Sequence, residues 1–347
     1  MTKKRVMFVV CAALLLAACN KDEVENGVPA SAEPEEVEEV EVEELRYTMP
    51  FTGEKVAEES FLRPILATIN NHPDARPQSG IAYADVVYEM LAEGDVTRLL
   101  ALYQSQIPTT IGPIRSARSY FIDMAKGLDA FYIAHGYSPE AKAMLTSGVV
   151  DNVNGMAYDG TLFQRSNERK APHNSYMPGE NVTAAAEKVG ASLLYQKKVS
   201  YSFYEEQDSV KIGKNANEVK MNYNNNGSFN SVYTYDVDKQ TYTRTAANTV
   251  TVDHLTGESV ELSNVLFFEM AHRVIDSEGR RDIDITSGGR AYVAQQGMLR
   301  EVNWENRDGL LVAVEQDGSE VQLVAGQTWV HFVPTSPGLT SSVTYSE

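Results

Sequence analysis

The chain of 347 residues carries 48 acidic against 30 basic side chains, a formal charge of −18, and 43% of its residues are hydrophobic. That apolar content suffices for packed cores, and the acidic balance argues against a nucleic-acid partner, which needs a basic face.

Lys3, Lys4 and Arg5 precede an apolar run, Val6 to Ala18. Thirteen residues are too few to span a bilayer comfortably, since about 20 helical residues are needed. The run fits the apolar core of a secretory signal. It ends Leu16-Ala17-Ala18-Cys19, which resembles a bacterial lipobox, whose cysteine thiol takes diacylglycerol before cleavage. A plain secretory signal cut after an Ala-x-Ala-like site is the alternative. On the lipobox reading, residues 1–18 are a signal peptide and Cys19 is the lipidation site. The expected location is then the outer face of the cytoplasmic membrane, with the lipid anchor as the contact to it. Processing removes Cys11 and consumes Cys19, the only two cysteines. Disulfides, thiolate metal sites and cysteine catalysis are thereby excluded.

Residues 20–46 hold eleven Asp and Glu against Lys21 and Arg46. Such a segment buries too little apolar surface to offset chain entropy, and its like charges extend it. Residues 19–57 are therefore read as an acidic, disordered tether. The leader carries +3 and the acidic segment −9, leaving −12 on residues 47–347. The remaining length suggests about two domains, 58–200 and 201–347.

In the first of these, "PILATIN", "ADVVYEMLAE", "TRLLALYQS" and "AFYIAH" read as the apolar strands of a covered sheet. "SARSYFIDMAKGL" has helical apolar spacing, "SPEAKAMLTSG" begins with an N-cap serine and a proline at the first helical position, and "GENVTAAAEKVGASLLYQ" is a third helix. After about residue 200 the helical patterns give way to β-branched and aromatic runs such as "SVYTYDVDKQTYTR", "NVLFFEM" and "TWVHFVP", with an Asp-Gly hairpin signal in "EQDGSE". The expected fold is α+β overall: an N-terminal α/β layered domain, then a mostly antiparallel, β-rich domain.

Several strings resemble the YerB-like family of bacterial lipoproteins, a two-domain family of unassigned function. They include "INNHPDARPQSGIAYADVVYEMLAEGDVTR", "IGPIRSARSYF", "HGYSP" and "RKAPHNSY", and later "YDVDKQTYTRT", "DHLTG", "NVLFFEM" and "GQTWVHFVP". The match runs in order from about residue 60 to the C-terminus. Ala67 and Asn70 depart from the Val/Ile and Asp that the family prefers, which weakens any metal site centred there. The resemblance implies the same order of an α/β and a β-rich domain, and implies no reaction.

Polar side chains crowd the ends of the apolar strands. Arg98, Arg115, Arg118, Arg165 and Arg169 form a candidate anion-binding set, since guanidinium forks near strand ends and helix starts suit phosphate or carboxylate groups. Asp85, Glu89, His135 and His173 form a candidate acid/base or polar cluster. Asp85, Glu89 and Glu93 are spaced to share one face of a strand. An internal salt-bridge network is the other reading of the same residues. Three histidines, His72, His135 and His173, would make a zinc site if they met, but no metal and no cofactor is expected. Tyr233, Tyr235, Tyr242, Phe267 and Phe268 read as sheet core, with a sugar-stacking surface as the alternative. No nucleophile elbow, Ser-x-x-Lys set, His-Glu-x-x-His or P-loop is present. The leading expectation is a non-catalytic envelope protein that binds an anionic cell-wall component or a partner protein. The rival is an enzyme acting on peptidoglycan or on a lipid-linked, phosphate-containing glycan.

Overall fold

A computed structural model describes residues 45–205, 211–224 and 227–347. The signal peptide, Cys19 and most of the proposed tether lie outside the described residues. Among the described residues no helix is long and apolar enough to cross a membrane.

The fold is α+β, with mostly antiparallel sheets. Its centre is an eleven-stranded sheet to which both parts of the sequence contribute. Strands Ile65–Asn70, Val86–Glu93, Val96–Tyr103, Phe131–Ala134 and Asn152–Asn154 form one part. Strands Asn264–Met270, Gly289–Gln295, Met298–Arg307, Leu310–Val314 and Thr328–Pro334 form most of the other. The seam is a parallel pair: Thr328 registers with Val86, Trp329 with Val87 and His331 with Glu89. The hydrogen-bonded ladder thus continues from one part into the other. A six-stranded antiparallel sheet, built on Glu218–Met221, Ser231–Asp236 and Thr241–Ala246, lies over one face of it.

Strand alternation decides which side chain meets which layer. Val86, Tyr88 and Met90 pack against Tyr120, Phe121 and Met124 of helix Ser119–Gly127. Val87 and Leu91 point the other way, toward a core shared with Trp329, Tyr233 and Tyr242. Helix Pro139–Thr146 starts where its sequence places it, with Ser138 Oγ accepting from Ala141 N at 3.2 Å. Helix Asn181–Val189 ends at Gly190, whose φ of +72° is the left-handed C-terminal turn. In "EQDGSE" the turn forms, Glu315 N donating to Ser319 O at 2.8 Å, but its arms pair only at the Val314–Glu320 bridge. Tyr233, Tyr242, Phe267 and Phe268 are buried and Tyr235 half-buried, so these rings form core and not a stacking platform.

The tether reading overreaches at its C-terminal end. Tyr47–Thr48 and Lys55–Val56 pair as a short hairpin, and between them Met49 and Phe51 are buried. Phe51 sits edge-on to Tyr201, with ring centroids 6.2 Å apart. Two large apolar side chains beyond the acidic run suffice to dock this stretch on the core.

Candidate functional site

Strands Ile65–Asn70, Phe131–Ala134 and Asn152–Asn154 run parallel to one another. Their C-terminal ends deliver Asn70, His135 and Asn154 to one edge of the sheet. The segment bearing Arg115 and Arg118 crosses there: Arg115 N donates to Thr68 O, and His135 N donates to Arg115 O at 3.0 Å. The loop bearing His173 closes over it, with Ile114 N donating to Ser175 O at 2.6 Å. Crevices outside the carboxyl ends of parallel strands are where open sheets place ligands.

The five arginines do not form one cleft. Arg98 and Arg118 are buried, 4% and 5% exposed, and share a single carboxylate. Arg98 Nη2 donates to both oxygens of Glu93, at 2.8 and 2.9 Å, and Arg118 forms an ion pair with the same group. Arg98 also donates to Ser116 O at 2.7 Å, and Arg118 to Ala117 O at 2.6 Å. Burial lowers the Arg98 pKa to about 10 and lowers that of Arg118 as well. For these two the network reading holds. Arg169 holds the neighbouring loop, donating to Ala75 O, Pro77 O and the Tyr176 hydroxyl at 2.6–2.8 Å. Arg165 lies against Asp159, with bonds of 2.9–3.1 Å.

Arg115 differs. It is half-buried, and among the described residues no carboxylate or carbonyl accepts from its guanidinium. Burial and the nearby Arg98 charge lower its pKa to about 10. Its electrostatic neighbours include Arg98, His135 and His173.

The two histidines have assigned tautomers. Arg165 can only donate, so its 3.1 Å contact makes His135 Nε2 the acceptor. Nδ1 then carries the proton and donates to Ser175 Oγ at 2.7 Å. Burial, reinforced by Arg165, holds the His135 pKa below its ordinary value. Gly155 makes room for the ring, because an added Cβ there would fall inside it. Asn70 orients His173: its Oδ1 accepts from His72 N at 3.0 Å, so its Nδ2 donates to His173 Nδ1 at 2.9 Å. His173 Nε2 therefore carries the proton. His72 stacks on His173 at 4.6 Å. His72, Asp74 and His173 bring one ligand atom each within 4.8 Å of one another, and His135 is outside this trio. With one His173 nitrogen bonded to Asn70 and the other protonated, that ring offers no free lone pair for a cation.

Asp85 and Glu89 lie outside this group, against the expectation from their spacing. Asp85 sits at the opposite end of its strand, accepting from Gln104 N and Ser105 N at 2.7 and 2.9 Å and from the Ser105 hydroxyl. Burial raises its pKa to about 6. Glu89 points to the opposite face and is completely buried. It accepts from Asn71, Thr97, Arg244 and Trp329 at 2.9–3.1 Å. Glu93 parts from Glu89 because the strand bulges between Leu91 and Glu93. One extra residue re-aims the next side chain, which brings Glu93 to Arg98 and Arg118. Sequence reading missed Ser175 and the Asp159 partner of Arg165. It also missed the buried set around Glu89, which includes Arg244 and His331. No local pattern marks these residues.

The chain matches two family models, the N-terminal domain of a protein of unknown function (DUF3048) over residues 51–192 and the corresponding C-terminal domain over residues 219–330. It is 41% identical over 287 residues to "Putative lipoprotein YerB" of Bacillus subtilis (strain 168), covering 82% of this chain and 86% of that one. The crystal structure of YerB protein from Bacillus subtilis superposes with a TM-score of 0.79 at 38% identity, over 87% of this chain and 100% of the other. The motifs at the strand ends, the order of the two parts and these matches agree: the chain belongs to the DUF3048, YerB-like family.

Proposed function

We propose that the protein is a lipid-anchored envelope protein on the outer face of the cytoplasmic membrane, which binds the anionic groups of a cell-wall polymer without transforming them. The observation that carries the binding reading is Arg115, a half-buried guanidinium that no carboxylate among the described residues accepts from, at the C-terminal ends of parallel strands and beside two histidines. The lipobox-like Leu16-Ala17-Ala18-Cys19 and the name of the Bacillus relative support the anchor.

Catalysis on peptidoglycan or a lipid-linked glycan fits the geometry less well. A general base needs a free lone pair, yet Arg165 occupies His135 Nε2, and His135 Nδ1 gives its proton to Ser175 instead of taking one. Ser175 is also buried, at 1% exposure.

Two measurements test the proposal. Cys19→Ser should release the signal-cleaved protein from membranes, because lipidation adds about 0.8 kcal/mol per buried methylene. Retention of that variant on membranes would refute the anchor. Arg115→Ala should weaken binding to a polyanionic wall polymer such as teichoic acid in a co-sedimentation assay. Unchanged binding would refute the site.

A further inference from the structure

The two histidines beside Arg115 differ in what a second proton would cost them. Both nitrogens of His135 are engaged, Nε2 by Arg165 and Nδ1 by Ser175. A proton on Nε2 would face the Arg165 guanidinium, which Asp159 holds in place. His173 is less constrained. Its Nδ1 accepts from Asn70 Nδ2 at 2.9 Å, and among the described residues no acceptor takes its Nε2–H. Rotating the Asn70 amide by half a turn would set Oδ1 against Nδ1, and the ring could then carry two protons. The cost is the bond that Oδ1 accepts from His72 N.

Charge decides whether the ring takes that proton. Burial, the stacked His72 ring and the Arg115 and Arg169 guanidinia hold the His173 pKa below its ordinary value, while Asp74 opposes them. Asp74 is exposed and lies 3.6 Å from His72 Nδ1. At His135, burial with Arg165 and Arg115 works against Asp159 in the same way. An imidazolium at position 173 would add a second positive charge beside Arg115. A singly charged oxyanion between the two offsets their repulsion. It raises the proton affinity of the ring, and by linkage the proton raises the affinity for the anion by the same factor.

We propose that the strand-end site binds a phosphodiester together with a proton: one non-bridging oxygen accepts from Arg115, the other from His173 Nε2–H, and the proton, drawn from solvent, goes to His173 Nδ1. This rests on the reading of Arg115 as the anion-binding residue and adds a proton to it. A phosphodiester supplies two non-bridging oxygens and a single negative charge. It stays ionised across the range in which histidine titrates, so the protein alone changes its protons. Binding then tightens as pH falls.

Poly(glycerol phosphate) is the probe. Its affinity for the intact protein is measured by calorimetry at pH 7.5 and pH 5.5, at one ionic strength. Acidification also removes negative charge from the rest of the protein, and His173→Gln, which keeps an N–H donor but cannot titrate, measures that background. The gain in affinity from pH 7.5 to 5.5 should be about threefold or more larger in wild type than in His173→Gln, since one pKa unit corresponds to about tenfold at most. His135→Gln should keep the wild-type gain. By NMR, the His173 titration midpoint should rise when the protein is saturated with the probe. Equal gains in wild type and His173→Gln would overturn the proposal, as would loss of the gain in His135→Gln instead. If His173→Gln does not fold, the midpoint decides: one that stays put overturns the coupling. Arg115→Ala separates the two readings. Wild-type affinity in that variant, or no binding by wild type, removes the anion site and this inference with it. Weakened binding in Arg115→Ala, with no excess gain in wild type, overturns the proton coupling alone.

Discussion

Arg244 donates to Glu89 across 2.9 Å in the closed space between the two sheets, although 155 residues separate them in the chain. The pair is fully shielded. Burial works against the charge on each, but their mutual attraction holds the Glu89 carboxyl below its usual range and raises the Arg244 guanidinium. Removing one partner of a buried pair strands the other and costs about 3–5 kcal/mol. Arg244→Ala should therefore lower stability by about that amount in urea denaturation. A loss under about 1 kcal/mol would show that solvent reaches Glu89 readily.

The strand-end arginines should separate by stability. Arg98→Ala removes two bonds from the half-buried Glu93 carboxylate, which keeps Arg118, and should cost about 1.5–3 kcal/mol. Arg115→Ala removes a guanidinium that no carboxylate among the described residues accepts from, and the change should stay within about 0.5 kcal/mol. Equal destabilisation by the two variants would mean that Arg115 belongs to the network.

His331 supplies a pH dependence. Its Nε2 accepts from Tyr233 at 2.5 Å and its Nδ1 donates to Tyr223 at 3.0 Å, so both nitrogens are used by the neutral ring. Burial lowers its pKa to about 3, from 6.5 in the unfolded chain. Between those values the unfolded state binds the extra proton, so stability is full above pH 6.5 and falls as pH drops toward 3. One such group gives a slope of about 1.4 kcal/mol per pH unit. His331→Gln should be less stable than wild type at pH 7, and the gap should narrow by about 2 kcal/mol on going to pH 5. Urea midpoints at both values measure it; a constant gap would contradict the assignment.

Phe51 tests where the folded body begins. Its ring is 1% exposed, and truncating a buried phenylalanine costs about 3–5 kcal/mol. Phe51→Ala, or a chain beginning at residue 58, should unfold at a lower temperature than a chain beginning at residue 45. Equal midpoints would return these residues to the tether.

Gly155→Ala should act locally. The new methyl must displace the His135 ring, breaking its bonds to Ser175 and Arg165. The His135 resonances should then titrate closer to the ordinary histidine value. An unchanged titration curve would show that the ring and the methyl coexist.

What the sequence determined by itself is local. Nearly unbroken apolar runs marked the strands of the first part, Ser138 marked a helix start, and the ordered motifs carried the family. Each of these signals is complete within a few residues, because backbone propensity and caps act over one or two turns. The tertiary structure decided which charges are free. A single bulge after Leu91 sends Glu93 to Arg98 and Arg118 while Glu89 faces the other sheet, and spacing along the strand cannot show it. The pairing of Glu89 with Arg244, and the absence of such a partner for Arg115 among the described residues, depend on which strands the topology sets side by side. A buried charge must find its counter-ion in three dimensions, so the chain's order does not reveal which arginine is left without one.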